Sequence, residues 1–222
     1  DTHKRLKKAG GKAGATLFST LLGAMQVMLS RLSGAQDIVI AIPSAGQSLL
    51  ADAGVLAGHC VNLLPVRQSV HNGERFETHL KATQETVLMA FEHQAYTYGT
   101  LVRKLGIKRD PRRLPLTEFQ FNLERTGSGA DFGTLNSSVV PNAKAFSNFD
   151  MFFNVTESAS GLRIDVDYNG EVYDSSTVDR WIGCFKTLLD AIAGDMGTAI
   201  GTLPLLGAEE FGWLHGVLND TK

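Results

Sequence analysis

Gly58-His59-Cys60-Val61-Asn62-Leu63-Leu64-Pro65-Val66-Arg67 is the most informative stretch of this chain. Its apolar run predicts a strand, which we place at 59–70. Asn62 interrupts that run, and a buried amide has to find hydrogen-bond partners. Taken by itself, Asn62 either ties two strands together or lines a substrate channel.

Apolar residues at helical spacing predict helices on both sides of this strand. We place them at about 16–32, 74–93, 98–105, 174–194 and 208–218. The basic start of the chain is interpreted as a solvated helix or fraying terminus, or as a docking patch for an acidic partner.

Strands follow from two other patterns. The apolar run 38–42 predicts a short buried strand, and strict alternation over 119–124, 151–156 and 162–168 predicts three more. The last two form an antiparallel hairpin whose second strand has one wet face. The fold class expected is α/β, a two-layer sandwich of mixed sheet and helices rather than a purely doubly wound sheet.

Composition excludes several classes of function. A net charge of -2 gives no reason to expect nucleic acid or an anionic membrane as a partner. Two cysteines do not make a disulfide framework, so a reducing, cytoplasmic location is expected. No apolar run reaches the roughly 18 residues that a membrane span requires.

Several chemistries lack their motif. The sequence contains no Gly-x-Ser-x-Gly elbow, no His-Glu-x-x-His and no phosphate-binding loop, so we expect neither a bound metal nor a bound nucleotide. His59 and Cys60 are neighbours on a predicted strand and point to opposite faces, so they cannot form a nucleophile–base pair.

The order of several motifs resembles the late core motifs of condensation domains of nonribosomal peptide synthetases. Gly58–Arg67 is similar to that family's "G-x-x-V-N-T-L-P-L-R" run. It is followed by Glu92-His93-Gln94-Ala95-Tyr96, like "E-H-Q-x-Y", and by Arg109-Asp110-Pro111-Arg112, like "R-D-x-x-R". The resemblance covers nearly the whole chain. It implies a lobe with the chloramphenicol-acetyltransferase-like fold.

The resemblance also implies the roles of individual residues. Asn62, Gln120 and Asn122 would line the substrate tunnel, and no residue of this chain would be catalytic. The family's His-His-x-x-x-Asp-Gly lies upstream of these motifs, and no His-His pair occurs here. The remaining motif residues would be structural: Gly58, Pro65, Arg67, His93, Arg109 and Asp110. Among these we expect Arg67 to form an ion pair and His93 to cap its helix.

On this interpretation residues 1–206 are the C-terminal lobe of a condensation domain, with 126–148 as a candidate latch that crosses to the other lobe. Residues 207–222 lead toward an adenylation domain. The lobe would help join carrier-bound aminoacyl or peptidyl thioesters by an amide bond and would be inactive alone. Its partners would be the N-terminal lobe, donor and acceptor carrier proteins and the adenylation domain. It would bind no cofactor directly and would receive phosphopantetheine arms as substrates.

Three alternatives remain open at this point. The chain could be a stand-alone binding or docking module without catalysis, or a self-sufficient small acyltransferase. It could also belong to a relative that epimerises or cyclises its substrate. The ending Leu64-Pro65-Val66-Arg67 favours ordinary condensation over epimerisation.

Overall fold

The computed structural model describes residues 1–46, 58–108, 110, 113–125 and 145–217. The chain divides into two compact units. The first comprises Asp1–Val39, Val66–Gln94 and Asp174–Lys222, and the second comprises Ile40–Pro65 and Ala95–Tyr173.

Most helices belong to the first unit, and α4 belongs to the second. In chain order they are α1 Thr2–Lys12, α2 Leu17–Ser33, α3 Phe76–Glu92, α4 Tyr98–Lys104, α5 Ser175–Gly194 and α6 Ala208–Gly212. Among the described helices, none alone is long and apolar enough to cross a bilayer, although α1 and α2 together, bent by 100°, meet that test by length and composition.

Helix α2 is the centre of the first unit. Thr16 caps its start by accepting a hydrogen bond from the Ser19 amide at 3.1 Å, and Gly34 ends it in the left-handed conformation, with φ 76°. The helix is buried almost throughout and contacts α1, α3 and α5. A helix that is apolar on most sides needs neighbours on most sides, and α2 has them.

A polar cluster is buried between α2 and α3. The side chains of Gln26, His79 and Thr83 have no exposed surface. The Gln26 Oε1 atom lies 3.1 Å from His79 Nε2 and accepts a hydrogen bond from Thr83 Oγ1 at 2.9 Å. Burial lowers the pKa of His79 to about 4, although the nearby backbone of Gly23 partly opposes the shift. The imidazole is therefore neutral in the folded protein at pH 7.

The strands form one five-stranded sheet in the order β2-β1-β3-β4-β5. Their bounds are β1 Asp37–Ala45, β2 Val61–Ser69, β3 Phe119–Arg125, β4 Met151–Ser158 and β5 Gly161–Tyr168. β3 runs parallel to both β1 and β4, whereas β4 and β5 form the predicted antiparallel hairpin. The mixed sheet predicted from the sequence is therefore present.

Alternation along β3, β4 and β5 gives the sheet one apolar face and one polar face. Phe121, Phe153 and Val155 are fully buried on the apolar side. On the other side the predicted wet positions of β5, Arg163 and Asp165, are exposed. Period two thus identified both faces correctly.

Two predicted segments differ from the structure or fall outside it. The last predicted helix, 208–218, is α-helical only over Ala208–Gly212. Its next residues, Trp213–Val217, form a π-helical turn. Glycine at 212 and 216 lowers the helix propensity there, so the α-helical hydrogen-bond pattern is not kept. Of the candidate latch, residues 126–144 lie outside the described residues, and 145–148 form no helix or strand.

Candidate functional site

Asn62 lies near the start of β2 and is half-buried. Its Nδ2 donates a hydrogen bond to the Tyr96 carbonyl at 3.1 Å, and its Oδ1 accepts one from the Tyr98 amide, also at 3.1 Å. An amide offers a donor and an acceptor side by side, so one side chain holds two points of the same short segment. Asn62 therefore joins β2 to the connection between α3 and α4.

Tyr98 extends this connection in a second direction. It is the first residue of α4, whose N-cap is Thr97. The phenol hydroxyl donates a hydrogen bond to the carbonyl oxygen of Pro115, in the segment that leads into β3. Burial raises the pKa of the Tyr98 phenol, so the hydroxyl keeps its proton at neutral pH. Tyr98 thus contacts Asn62 through its backbone and the segment before β3 through its ring.

The segment before β3 contains a strained residue. Leu116 has φ 72°, a left-handed conformation that a side chain with a Cβ atom disfavours. The next residue, Thr117, is buried and donates from Oγ1 to the Phe119 carbonyl at 2.7 Å. Such a conformation persists only where surrounding contacts hold it. Hydrogen bonds on both sides of Leu116 do so here.

Charged groups support the same segment. Arg113 lies 2.6 Å from a Glu118 carboxylate oxygen and 3.5 Å from one of Asp150. The Asp150 side chain is only 8% exposed, which makes this pair less screened by solvent than a surface pair. Burial raises the pKa of the nearby Tyr173 phenol, and the carboxylates of Asp150 and Glu118 raise it further.

The polar face of the sheet carries a pair of amides. Asn122 Nδ2 donates to Asn154 Oδ1 on the neighbouring strand at 3.0 Å and to Glu124 Oε1 at 3.1 Å. Asn122 and Asn154 are partners in the parallel register, and both are half-buried. Gln120 lies two residues earlier on the same face.

Asn154 was not among the residues expected to form the site. Its signal was nonetheless present, because Asn154 alternates with Phe153 and Val155 in the period-two pattern of β4. The parallel pairing that places it beside Asn122 could not be read from that pattern.

Arg67 and His93 occupy ordinary structural positions. Arg67 binds Asp37 through two guanidinium nitrogens at 2.7 and 2.9 Å. This hydrogen bonding, together with the charge of Arg67, holds the pKa of Asp37 below its usual value. The pair is exposed, so it contributes little stability. His93 is the C-cap residue of α3, and its backbone amide donates to the Met89 carbonyl at 3.2 Å.

The other motif residues are more scattered. Gly58 is exposed in a bend before β2, and Pro65 is half-buried within β2. The carbonyl of Asp110 accepts a hydrogen bond from the Arg113 amide at 3.3 Å. Arg109 lies outside the described residues.

The chemistry of this arrangement is hydrogen bonding. Asn62 and the pair Asn122–Asn154 present amides, which both donate and accept hydrogen bonds but do not ionise near neutral pH. Among the described residues, no three His, Cys, Asp or Glu side chains are placed to hold a metal ion. Side-chain amides of this kind suit hydrogen bonding to an amide-containing ligand.

Comparison with known proteins identifies the family. The model of the condensation domain matches residues 1–212. Surfactin synthase subunit 1 of Bacillus subtilis (strain 168) is 35% identical over 207 residues, covering 93% of this chain and 6% of that protein. The chain spans only 3% to 9% of the length of the curated relatives it matches.

Solved structures share the fold. The X-domain in complex with OxyB, from teicoplanin biosynthesis, has a TM-score of 0.83 at 23% identity and covers 93% of this chain and 46% of its own. The first condensation domain of the CDA synthetase has a TM-score of 0.76 at 24% identity. The match covers 93% of this chain and 46% of the solved chain. The four-domain nonribosomal peptide synthetase AB3403 has a TM-score of 0.84 at 18% identity. The match covers 95% of this chain and 17% of the solved chain.

These likenesses confirm the α/β fold class expected from the sequence, a mixed sheet with helices of the chloramphenicol-acetyltransferase-like type. The family match covers the motif-bearing strand, the α3–α4 connection and the polar sheet face. The chain therefore belongs to the condensation-domain family of nonribosomal peptide synthetases.

Proposed function

We propose that the chain is the C-terminal half of a condensation domain that joins two carrier-bound aminoacyl or peptidyl thioesters through an amide bond. The observation that carries this proposal is the family match over residues 1–212. Coverage of 46% of a solved condensation-domain chain supports the view that this is one of two lobes. On this proposal residues 1–206 form the lobe and 207–222 lead to an adenylation domain.

The reaction defines what such a lobe has to contribute. The amine nitrogen of the acceptor attacks the thioester carbonyl of the donor, a C–N bond forms, and the C–S bond breaks. The thiol leaves with the proton that the amine gives up. A positioned base that takes this proton contributes about 10²–10⁴-fold to the rate. We place that base in the family's His-His-x-x-x-Asp-Gly, on the other lobe.

The role of this chain is then to bind and orient the substrates. Phosphopantetheine arms and peptidyl groups carry amides, and a wall with fixed amide donors and acceptors suits them. We propose Asn62, Gln120 and Asn122 as tunnel-lining residues and add Asn154, because it hydrogen-bonds Asn122 at 3.0 Å. No cofactor is required in this scheme, since the arms are part of the substrates.

Exposed apolar side chains near Asn62 support a covering partner. Val61 and Tyr96, which flank the hydrogen bonds of Asn62, are 50% and 44% exposed. Asn62, the neighbour of Val61, bonds to the Tyr96 carbonyl, so these two exposed apolar residues lie close together, as is typical of interaction surfaces. We propose that the N-terminal lobe covers Val61 and Tyr96. Donor and acceptor carrier proteins and the adenylation domain are the further partners.

Reconstitution tests the proposal. The chain is joined to an N-terminal lobe that carries His-His-x-x-x-Asp-Gly, and amide formation between two loaded carrier proteins is followed by mass spectrometry. The two-lobe protein should form the amide, whereas the chain alone should be at least about 100-fold slower, because it lacks the base. Equal rates for the chain alone and the two-lobe protein would contradict the assignment of catalysis to the other lobe.

A docking module without catalysis is the second candidate. It is favoured by the likeness to the X-domain, whose structure was solved as a complex with OxyB. The same reconstitution separates the two functions, because a docking module binds its partner but produces no amide. An epimerising or cyclising relative would instead yield a donor of inverted configuration or a cyclised product.

A further inference from the structure

Tyr98 connects the two groups of residues that we propose for the tunnel wall. Its backbone amide is held by Asn62 Oδ1 at 3.1 Å, and its hydroxyl donates to the Pro115 carbonyl. Pro115 lies four residues before β3, the strand that carries Gln120 and Asn122. A chain of hydrogen bonds therefore leads from β2, through α4, to the entry of β3.

The hydroxyl acts at a point of backbone strain. Pro115 directly precedes Leu116, which has φ 72°. For a leucine the left-handed conformation is unfavourable, so the turn relaxes unless its flanks are held. The Tyr98 hydroxyl holds the residue before Leu116, and the bond from Thr117 Oγ1 to the Phe119 carbonyl, at 2.7 Å, holds the residues after it.

Relaxation of the Pro115–Leu116 turn would change how β3 presents its side chains. Side chains on a strand alternate between faces, so the backbone that enters β3 decides how Gln120 and Asn122 are presented. The hydrogen bond from Asn122 to Asn154, at 3.0 Å, needs the same placement. A looser turn would leave β3 paired with its neighbours but would misplace its polar side chains by fractions of an ångström.

We infer that Tyr98 is a positioning residue for condensation: its hydroxyl holds the strained Pro115–Leu116 turn and thereby aligns the amides of β3 with Asn62. This inference rests on the proposed function, because it assigns the aligned amides to the substrate tunnel. Tyr98 acts through the turn and the strand, and it touches no reacting atom.

The first test uses the chain by itself. Tyr98→Phe removes the hydroxyl and keeps both the ring and the backbone amide that Asn62 binds. Hydrogen exchange of the amides of residues 116–120 should become about fivefold to tenfold faster, the effect expected for one lost hydrogen bond. Tyr168→Phe, at a half-buried tyrosine on β5, is the matched control and should leave these amides unchanged. Unchanged exchange in Tyr98→Phe would overturn the inference.

The second test uses the two-lobe protein with loaded carriers. Tyr98→Phe should lower kcat for amide formation about tenfold with little change in KM for either carrier, because a misplaced wall impairs alignment more than docking. Adding Leu116→Gly to Tyr98→Phe should restore kcat. Glycine adopts φ 72° without strain, so the turn no longer depends on the hydroxyl. Leu116→Asn, which also tolerates this conformation, is a second rescue variant that keeps a side chain.

The outcomes separate the two claims. If wild-type two-lobe protein forms the amide and Tyr98→Phe matches it, the positioning role is wrong and the proposed function stands. A kcat loss that neither Leu116 variant relieves would also overturn the role assigned to the turn. If wild-type two-lobe protein forms no amide, the proposed function fails, and hydrogen exchange still decides whether Tyr98 holds the entry of β3.

Discussion

Asn62 uses both halves of its amide, and this makes its contribution to stability measurable. Asn62→Ala removes the bonds to the Tyr96 carbonyl and the Tyr98 amide, each 3.1 Å long. We expect the free energy of unfolding to fall by about 1–2 kcal/mol, because the site is half-buried and each bond has a modest net value. Chemical denaturation measures the change.

Asn62→Asp separates the two bonds. It keeps the acceptor for Tyr98 but replaces the donor with a carboxylate oxygen that faces the Tyr96 carbonyl. We expect a loss at pH 7 at least as large as that of Asn62→Ala, and a smaller loss near pH 3, where the protonated acid can donate. A fully stable Asn62→Ala protein would contradict the assignment of these bonds as stabilising.

His79 predicts a pH dependence of stability. Burial lowers its pKa to about 4, whereas the unfolded chain has the ordinary value of 6.5. Between these values the unfolded state binds more protons, so stability is complete above pH 6.5 and is lost as the pH falls toward 4. From pH 7 to pH 5 this one group should remove about 2 kcal/mol.

Urea denaturation at several pH values checks this expectation. His79→Gln is the comparison, because glutamine can still reach Gln26 but does not titrate. The variant should lose about 2 kcal/mol less than the wild type between pH 7 and pH 5. Parallel pH profiles for the two proteins would show that the buried imidazole does not govern acid stability.

Among the helices, the contact between α1 and α2 depends on a glycine. A Cβ atom at Gly10 would lie 2.4 Å from Thr20 Oγ1, which donates to the Thr16 carbonyl at 2.8 Å. Gly10→Ala should therefore destabilise the protein by about 1–2 kcal/mol through overpacking, despite the higher helix propensity of alanine.

Gly11 is the matched control on the same helix. A Cβ atom at Gly11 meets nothing within 4 Å. Gly11→Ala should therefore stabilise the protein by up to about 1 kcal/mol through helix propensity alone. Thermal unfolding of both variants gives opposite shifts of Tm if the contact is as tight as described, and equal shifts if it is not.

For the whole molecule, the proposed function predicts that the N-terminal lobe attaches at the exposed apolar residue Val61. Val61→Glu should weaken association with an N-terminal lobe at least tenfold, because it places a charge beside Asn62 in a surface that the lobe would cover. Leu88→Glu on α3 is the control, since Leu88 is similarly exposed at 53%. Binding measured by calorimetry should separate the two, and equal affinities would place the interface elsewhere.

Much of the fold could be predicted from local pattern. Period 3.6 placed α2, α3 and α5 within two residues of their observed ends, and period two identified the buried face of β3, β4 and β5. The last predicted helix, 208–218, is α-helical only to Gly212 and π-helical over Trp213–Val217, because glycines weaken the α-helix there. The parallel pairing of β3 with β1 and β4 was not predicted, since alternation shows which face is buried but not which strand lies alongside.

The candidate site also contains residues that the sequence indicates and residues that only the structure identifies. Asn62, Gln120 and Asn122 could be chosen from sequence, because each is polar within an apolar or alternating run. Asn154 joined them only through its register with Asn122, and Tyr98 only through its bonds to Asn62 and Pro115. These partners lie 32, 36 and 17 residues apart along the chain.

The helices and strands, their apolar faces and the family can be read from the sequence, because periodicity and motif order are local properties of the chain. The tertiary structure alone decided which polar groups meet: Asn62 with the α3–α4 connection, Tyr98 with the turn before β3, and His79 with Gln26. The physical reason is that a hydrogen bond requires two groups within about 3 Å at a suitable angle. Only the packing of distant segments brings them there.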